Sequence, residues 1–320
     1  MKRKFGIFVT LVLLAGTGNA VAADFSKKTS QTAPPGVVHG GFEAEFGTRM
    51  WLGFGDSHYD LFNPSGTVQN SRLTFANLPT ASGELFGKLT DNEFFVSGFA
   101  GLGSVPGGTL QDEDFAPTTN PYSSTDSTQG GGQLAYATVD LGRYFYDQPG
   151  GRIGAFVGYN YIGDQLNSYG CTQTATNPTI CVPSVDSSIS PIRETDSWNS
   201  LRVGINGDAK LDDHWTLSGD AAFLPYVSLS GMDTHWLRIP SSFTGPIPID
   251  GTGWGAQIQA MLDYKVSDRF SLGIGARYWH MQASGNMHFE NVLVPGPGSP
   301  QPMNRSENLY GLLAEVKASF

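Results

Sequence analysis

Two short motifs in this chain carry residues able to move a proton. Asp112-Glu113-Asp114 and Asp233-Thr234-His235 each place ionisable side chains at i and i+2, the spacing that brings two side chains to one face of a strand. A carboxylate beside an imidazole orients the ring and stabilises its protonated form, so the histidine can serve as a general base. Two neighbouring carboxyls can share a proton and polarise a water. Asp112, Asp114, Asp233 and His235 together could therefore activate water against a peptide carbonyl without a serine or cysteine nucleophile. A third stretch, Asp56-Ser57-His58, has the same spacing, so spacing alone does not choose between them. The elements that position each pair must decide.

Those elements read as strands. Phe42, Ala44, Phe46, Met50, Leu52 and Phe54 alternate with residues that include Glu43, Glu45 and Arg49. Trp254 to Val266 and Tyr310 to Phe320 alternate in the same way. One apolar face and one charged or glycine-rich face is what a barrel strand between lipid and a wet lumen requires. Short polar turns fall at Thr90–Glu93, Tyr146–Gly151, Lys210–His214 and Lys265–Arg269. Long Gly/Pro/Ser/Thr-rich segments fall at about 55–70, 103–132, 165–196, 231–252 and 286–306. Their alternation predicts an all-β, antiparallel outer-membrane barrel of ten strands, with short periplasmic turns and long extracellular loops.

Export is signalled at the start. Lys2, Arg3 and Lys4 precede an apolar stretch from Phe5 to Gly16, and Ala20-Val21-Ala22 supplies a small-x-small cleavage site. Residues 1–22 are expected to be a removed signal peptide, 23–38 a flexible periplasmic lead-in and 39–320 a single barrel domain. Removal of three basic residues takes the formal charge from −10 to −13, which disfavours nucleic acid and favours cationic partners. Location in a Gram-negative outer membrane follows, with Phe320 addressing the barrel-insertion machinery and the chain acting as a monomer.

With Asp112-x-Asp114 placed in the second long loop, between strands three and four, and Asp233-x-His235 where strand seven ends, the chain resembles the omptin family of outer-membrane proteases. Asp112 and Asp114 in Leu110-Gln-Asp-Glu-Asp-Phe115 match the family's aspartate pair. Asp233 and His235 in Ser230-Gly-Met-Asp-Thr-His-Trp236 match its Asp-His pair. Tyr122-Ser-Ser-Thr-Asp-Ser127 is similar to the family's run into the fourth strand. The resemblance implies an aspartic-type endopeptidase at the cell surface, acting on peptides or proteins without metal or organic cofactor. It also implies lipopolysaccharide as a lipid partner and candidate activator. A second reading from another class is a non-enzymatic barrel of the same ancestry, serving as adhesin or envelope scaffold. The family members that cleave beside basic residues carry an acidic residue two positions before the Asp-x-His aspartate, where this chain has Gly231.

One difficulty sits on the seventh strand. Trp215, Leu217, Ala221 and Phe223 take the lipid-facing phase, and Asp233 and His235 share their parity. For the pair to face the cleft, the strand must slip phase once, and Pro225 or Gly231 could mark the bulge. Cys171 and Cys181 are expected to form a disulfide inside the third long loop. Trp51, Trp215, Trp254 and Trp279 are assigned to an interfacial girdle. Glu43, Arg49, Arg202, Asp208, Glu315 and Lys317 are read as inward charges that pair and fill the lumen.

Overall fold

The computed structural model describes residues 41–115, 120–289 and 300–320. The proposed signal peptide (1–22) and the whole of the proposed lead-in (23–38) lie outside the described residues. Twelve strand segments form one antiparallel sheet that closes on itself: β1 (Phe42–Phe62), β2 (Gln69–Asp91), β3 (Phe94–Val105), β4 (Thr109–Asp114), β5 (Ser123–Gln129), β6 (Gly132–Gln148), β7 (Gly151–Gln173), β8 (Ile192–Lys210), β9 (Trp215–His235), β10 (Ile247–Lys265), β11 (Phe270–Met287) and β12 (Gln301–Ser319). Two of these divisions account for the difference from the ten expected. β3 and β4 both pair with β2, and β5 and β6 both pair with β7. They are lower and upper halves of two staves, so ten positions run around the ring.

Single segments run to 23 residues, whereas a tilted strand needs only about 9–11 to cross a bilayer. Much of what reads in sequence as long loop is strand continuing above the membrane: Asp56, His58 and Asp60 lie on β1, and β7 runs on to Gln173. The outward face marks the junction. It is apolar through Phe54, Leu102, Leu201, Tyr226, Trp254, Tyr278 and Tyr310. Beyond those positions it turns to Asp56, Asn199, Ser228, Thr252, Gln282 and Asn308. Below the junction the outward face meets lipid; above it, water.

Inside, charged side chains cross the lumen, above a cavity of about 330 Å³ lined by Glu45, Arg152, Asp208 and Lys317 among others. Arg277 donates to both oxygens of Glu84 at 2.6 and 3.1 Å and to Gln259 at 2.6 Å. Its guanidinium lies 4.1 Å from the Phe99 ring centre and 4.8 Å from that of Trp279. Arg49 bridges Glu84 and Glu315, and Arg202 bridges Asp140 and Asp220. Lys317 pairs with Asp263, and Arg152 with Glu43 and Asp208. The inward charges thus pair with one another. Two tryptophans do not join the girdle: Trp51 and Trp279 are fully buried, their rings 5.2 Å apart edge to face with Tyr136 beside them. Their parity is that of the charged face of β1 and β11, and an aromatic on that face packs against the arginines. Trp215 and Trp254 do face outward.

Just above the apolar band several staves slip phase. On β3 the inward residues are Phe95, Gly101 and Val105; on β4 they are Leu110, Asp112 and Asp114. Parity changes across Pro106-Gly107-Gly108, where proline cannot donate to the ladder and Gly108 takes φ +123°, a value open to glycine. On β9, Leu201 of β8 pairs with Tyr226 while Val203 pairs with Phe223, so one extra residue is inserted at Leu224–Tyr226. This is the bulge that the alternation required, at Pro225 and not at Gly231. Ala222 and Leu224 point inward below it; Val227, Leu229, Asp233 and His235 point inward above it.

Candidate active site at the extracellular mouth

Each half of the site therefore rests on a stave that has changed face. β4 carries Asp112 and Asp114 inward between Leu73 and Ser71 of β2 and Thr125 and Ser123 of β5. The top of β9 carries Asp233 and His235 opposite Glu194 and Ile192 of β8. A 3-10 turn at Trp236–Arg238 follows directly. It folds the chain back so that the Arg238 carbonyl accepts from the amides of Ser242 and Phe243. Phe243 returns its ring edge-on to His235, centroids 5.9 Å apart.

His235 Nε2 and Asp233 Oδ2 lie 2.9 Å apart. Asp233 is buried and His235 is nearly so. With Nε2–H donating to the carboxylate, Nδ1 is left as the basic nitrogen. Burial alone would lower the imidazole's proton affinity, but the Asp233 charge and hydrogen bond outweigh it and raise the His235 pKa above its ordinary value. Across the mouth, burial pushes Asp112 up to about 6, with the Asp114 charge adding to it and His235 and Arg238 opposing. Asp114 is also raised by burial, against Arg238, His235 and a hydrogen bond from Ser71. The four sequence-selected groups are thus brought within electrostatic reach of one another, with Arg238 joining them. Nothing in the spacing singled Arg238 out.

The look-alike goes elsewhere. Asp56, His58 and Asp60 take the outward phase of β1, away from the mouth. His58 pairs with Asp60 at 3.2 Å, Arg72 with Asp60 at 2.9 Å, and Asn308 donates to Asp56.

Beneath Asp233 lies a buried group of charges that the sequence did not single out. Glu194 and Asp196 of β8, Asp164 of β7 and Glu307 of β12 surround Arg305 of β12, whose guanidinium donates to Asp196. Their signal was present in Ile192-x-Glu194-x-Asp196-x-Trp198, where two acids share the phase of two apolar residues. Gly231 pairs across the ladder with Asp196. A Cβ built on Gly231 would collide with the Asp196 carboxylate, so the glycine leaves room for an acid supplied by the neighbouring strand. Cys171 and Cys181 are disulfide-bonded, with Cα atoms 5.7 Å apart. The bond ties the end of β7 to the segment after it, well away from the four groups in sequence.

No protein-family model matches this sequence, and no curated protein matches it. Among solved structures, the chain is similar to the outer membrane protease OmpT from Escherichia coli, with a TM-score of 0.65 and 13% identity over 87% of this chain and 97% of that one. The Pseudomonas aeruginosa outer membrane protein OprG aligns at a TM-score of 0.35 and 9% identity, covering 88% and 96%. The Ralstonia pickettii toluene transporter TbuX aligns at 0.31 and 8%, covering 85% and 89%. The fold is shared with OmpT at the level of architecture. The chain is an antiparallel β-barrel of the Gram-negative outer membrane.

Proposed function

We propose that this barrel is a cell-surface endopeptidase of omptin type, in which His235 and Asp233 activate a water held with Asp112 and Asp114. The observation that carries the reading is the phase slip at Pro225, which turns Asp233 and His235 from the outer wall into the mouth. Nδ1 of His235 takes a proton from water as the hydroxyl adds to the scissile carbonyl carbon. The oxyanion is met by a proton from the carboxyl pair, whose protonated form is favoured by the burial of both Asp112 and Asp114. His235 returns its proton to the leaving nitrogen as the C–N bond breaks. The chemistry asks for no metal or organic cofactor.

The substrate class follows from charge. A mature chain of −13, with buried acids under the site, favours cationic peptides. Asp196 lies beside Gly231, where it could supply the acidity that basic-cleaving family members place on the strand itself. Lipopolysaccharide is proposed as the surrounding and activating lipid, Phe320 as the contact with the insertion machinery, and the monomer as the working form.

The test is a peptide library incubated with folded wild type and with His235→Ala in lipopolysaccharide-containing detergent. Cleavage by wild type alone supports the proposal. If wild type cleaves nothing above the level of the variant, the enzymatic reading fails and a binding or scaffold role remains.

A further inference from the structure

Asp233 uses one carboxylate oxygen for His235. Its other oxygen, Oδ1, is buried and meets no hydrogen-bond partner. Directly across the ladder stands Glu194, fully buried, with both of its oxygens likewise unpartnered. Residues directly opposite on an antiparallel pair have Cβ atoms about 4.5–5.5 Å apart, so the two carboxyls share one space. Two carboxylates there cannot both stay charged and unsolvated, since an isolated buried charge costs several kcal/mol. A shared proton removes the conflict.

We propose that Glu194 is the positioning residue of the His235–Asp233 pair: in its acid form it donates to Asp233 Oδ1, fixing the carboxylate that fixes the imidazole. The inference rests on the peptidase reading for its purpose but not for its test. Charged and titratable groups face Glu194 from every neighbouring strand: Tyr59 of β1, Asp164 of β7, Asp196 of its own strand, Asp233 of β9 and Arg305 of β12. Burial, then the Asp233 charge, holds the Glu194 carboxyl well above the ordinary range, against the pull of Arg305. Arg305 makes its hydrogen bond to Asp196 and none to Glu194, and Asp233 is the carboxylate directly opposite Glu194 on the ladder.

The experiment follows the His235 ring in detergent-solubilised barrel by nuclear magnetic resonance as pH is varied, its signal assigned by its loss in His235→Ala. Glu194→Gln keeps a donor toward Asp233 without a titrating proton; Glu194→Leu removes it. The Gln variant should titrate His235 as wild type does. The Leu variant should lower the His235 pKa by about one unit, because an unsupported Asp233 holds the imidazolium less well. Equal behaviour of the two variants, shifted or unshifted, would overturn the proposal, since only a donated proton separates them. If the Leu variant does not fold, infrared spectra decide: wild type should show a protonated-carboxyl band at neutral pH that Glu194→Gln lacks, and no difference between them overturns it. Peptide cleavage, measured in parallel, reports on the enzymatic reading separately. A wild type that cleaves nothing while the Gln and Leu titrations diverge retains the relay and sinks the protease.

Discussion

Asp56-Ser57-His58 and Asp233-Thr234-His235 present the same residue types at the same spacing, both on the upper parts of staves. They differ in the face they occupy. β1 keeps one parity from Trp51 to Leu61, so Trp51, Ser57 and Tyr59 point inward while Asp56 and His58 stay on the outer wall. β9 gains one residue at Pro225, and everything beyond it changes sides. His58 then pairs with an aspartate that is also held by Arg72, whereas His235 pairs with an aspartate buried beside Glu194. A motif becomes a candidate site through the bulge beneath it.

Removing the bulge should break that difference most completely. Deletion of Pro225 restores strict alternation and returns Asp233 and His235 to the outer wall. A variant that still folds, as judged by heat-modifiable gel mobility, should lose all peptide cleavage. Undiminished cleavage would show that the phase of β9 does not matter.

Asp233→Asn keeps the shape and removes the charge, and is expected to reduce cleavage by roughly 10²–10⁴-fold. The sign of its pH effect is fixed by the raised His235 pKa. Wild-type activity needs neutral His235, so it falls as pH drops through a value above 6.5. Without the Asp233 charge that value moves down, so the residual activity of the variant should persist to lower pH. A pH–rate profile whose acid limb does not move contradicts the pairing. Asp56→Asn should leave both rate and limb unchanged.

A smaller effect is expected on stability. Burial holds the folded Asp112 carboxyl near 6, above its ordinary 3.8, so the mouth loses stability as pH rises from about 3.8 to about 6, with the full loss present above that. Asp112→Asn should stabilise the extracellular section at pH 7 by roughly 1–2 kcal/mol and leave it unchanged at pH 3. Hydrogen exchange of the β4 amides at both pH values reads this directly. More local still, and without effect on cleavage, Cys171→Ser with Cys181→Ser should loosen the segment after β7, with a loss of about 2–3 kcal/mol by the chain-entropy model. Faster exchange confined to that segment is the expected signature.

The membrane half of the barrel was legible because lipid imposes a strict apolar face, as in Trp254 to Val266. The upper half was not. On β8 above Leu201 the outward residues are Arg193, Thr195, Ser197 and Asn199, and the inward ones include Glu194, Asp196 and Ser200. With water outside and a polar layer inside, alternation of residue type fades although alternation of direction continues, and strand reads as loop. The inward tryptophans were hidden for the opposite reason, since an aromatic near a strand end suits an interface as well as an arginine-lined core. The slip at Pro225 could be inferred because the lipid-facing run Trp215, Leu217, Ala221 and Phe223 shares its parity with Asp233 and His235, which must face the cleft. The matching slip at Pro106–Gly108 lay inside a segment already read as loop. The inward phase of Glu194 is written in Ile192-x-Glu194-x-Asp196-x-Trp198, but its place opposite Asp233 requires the register.

The most direct measurement compares His235→Ala with His58→Ala in one assay, on one peptide library, with folded barrels in lipopolysaccharide. Loss of cleavage by at least about 100-fold in the first, with the second within about twofold of wild type, is the predicted result. Equal effects of the two substitutions would contradict the account.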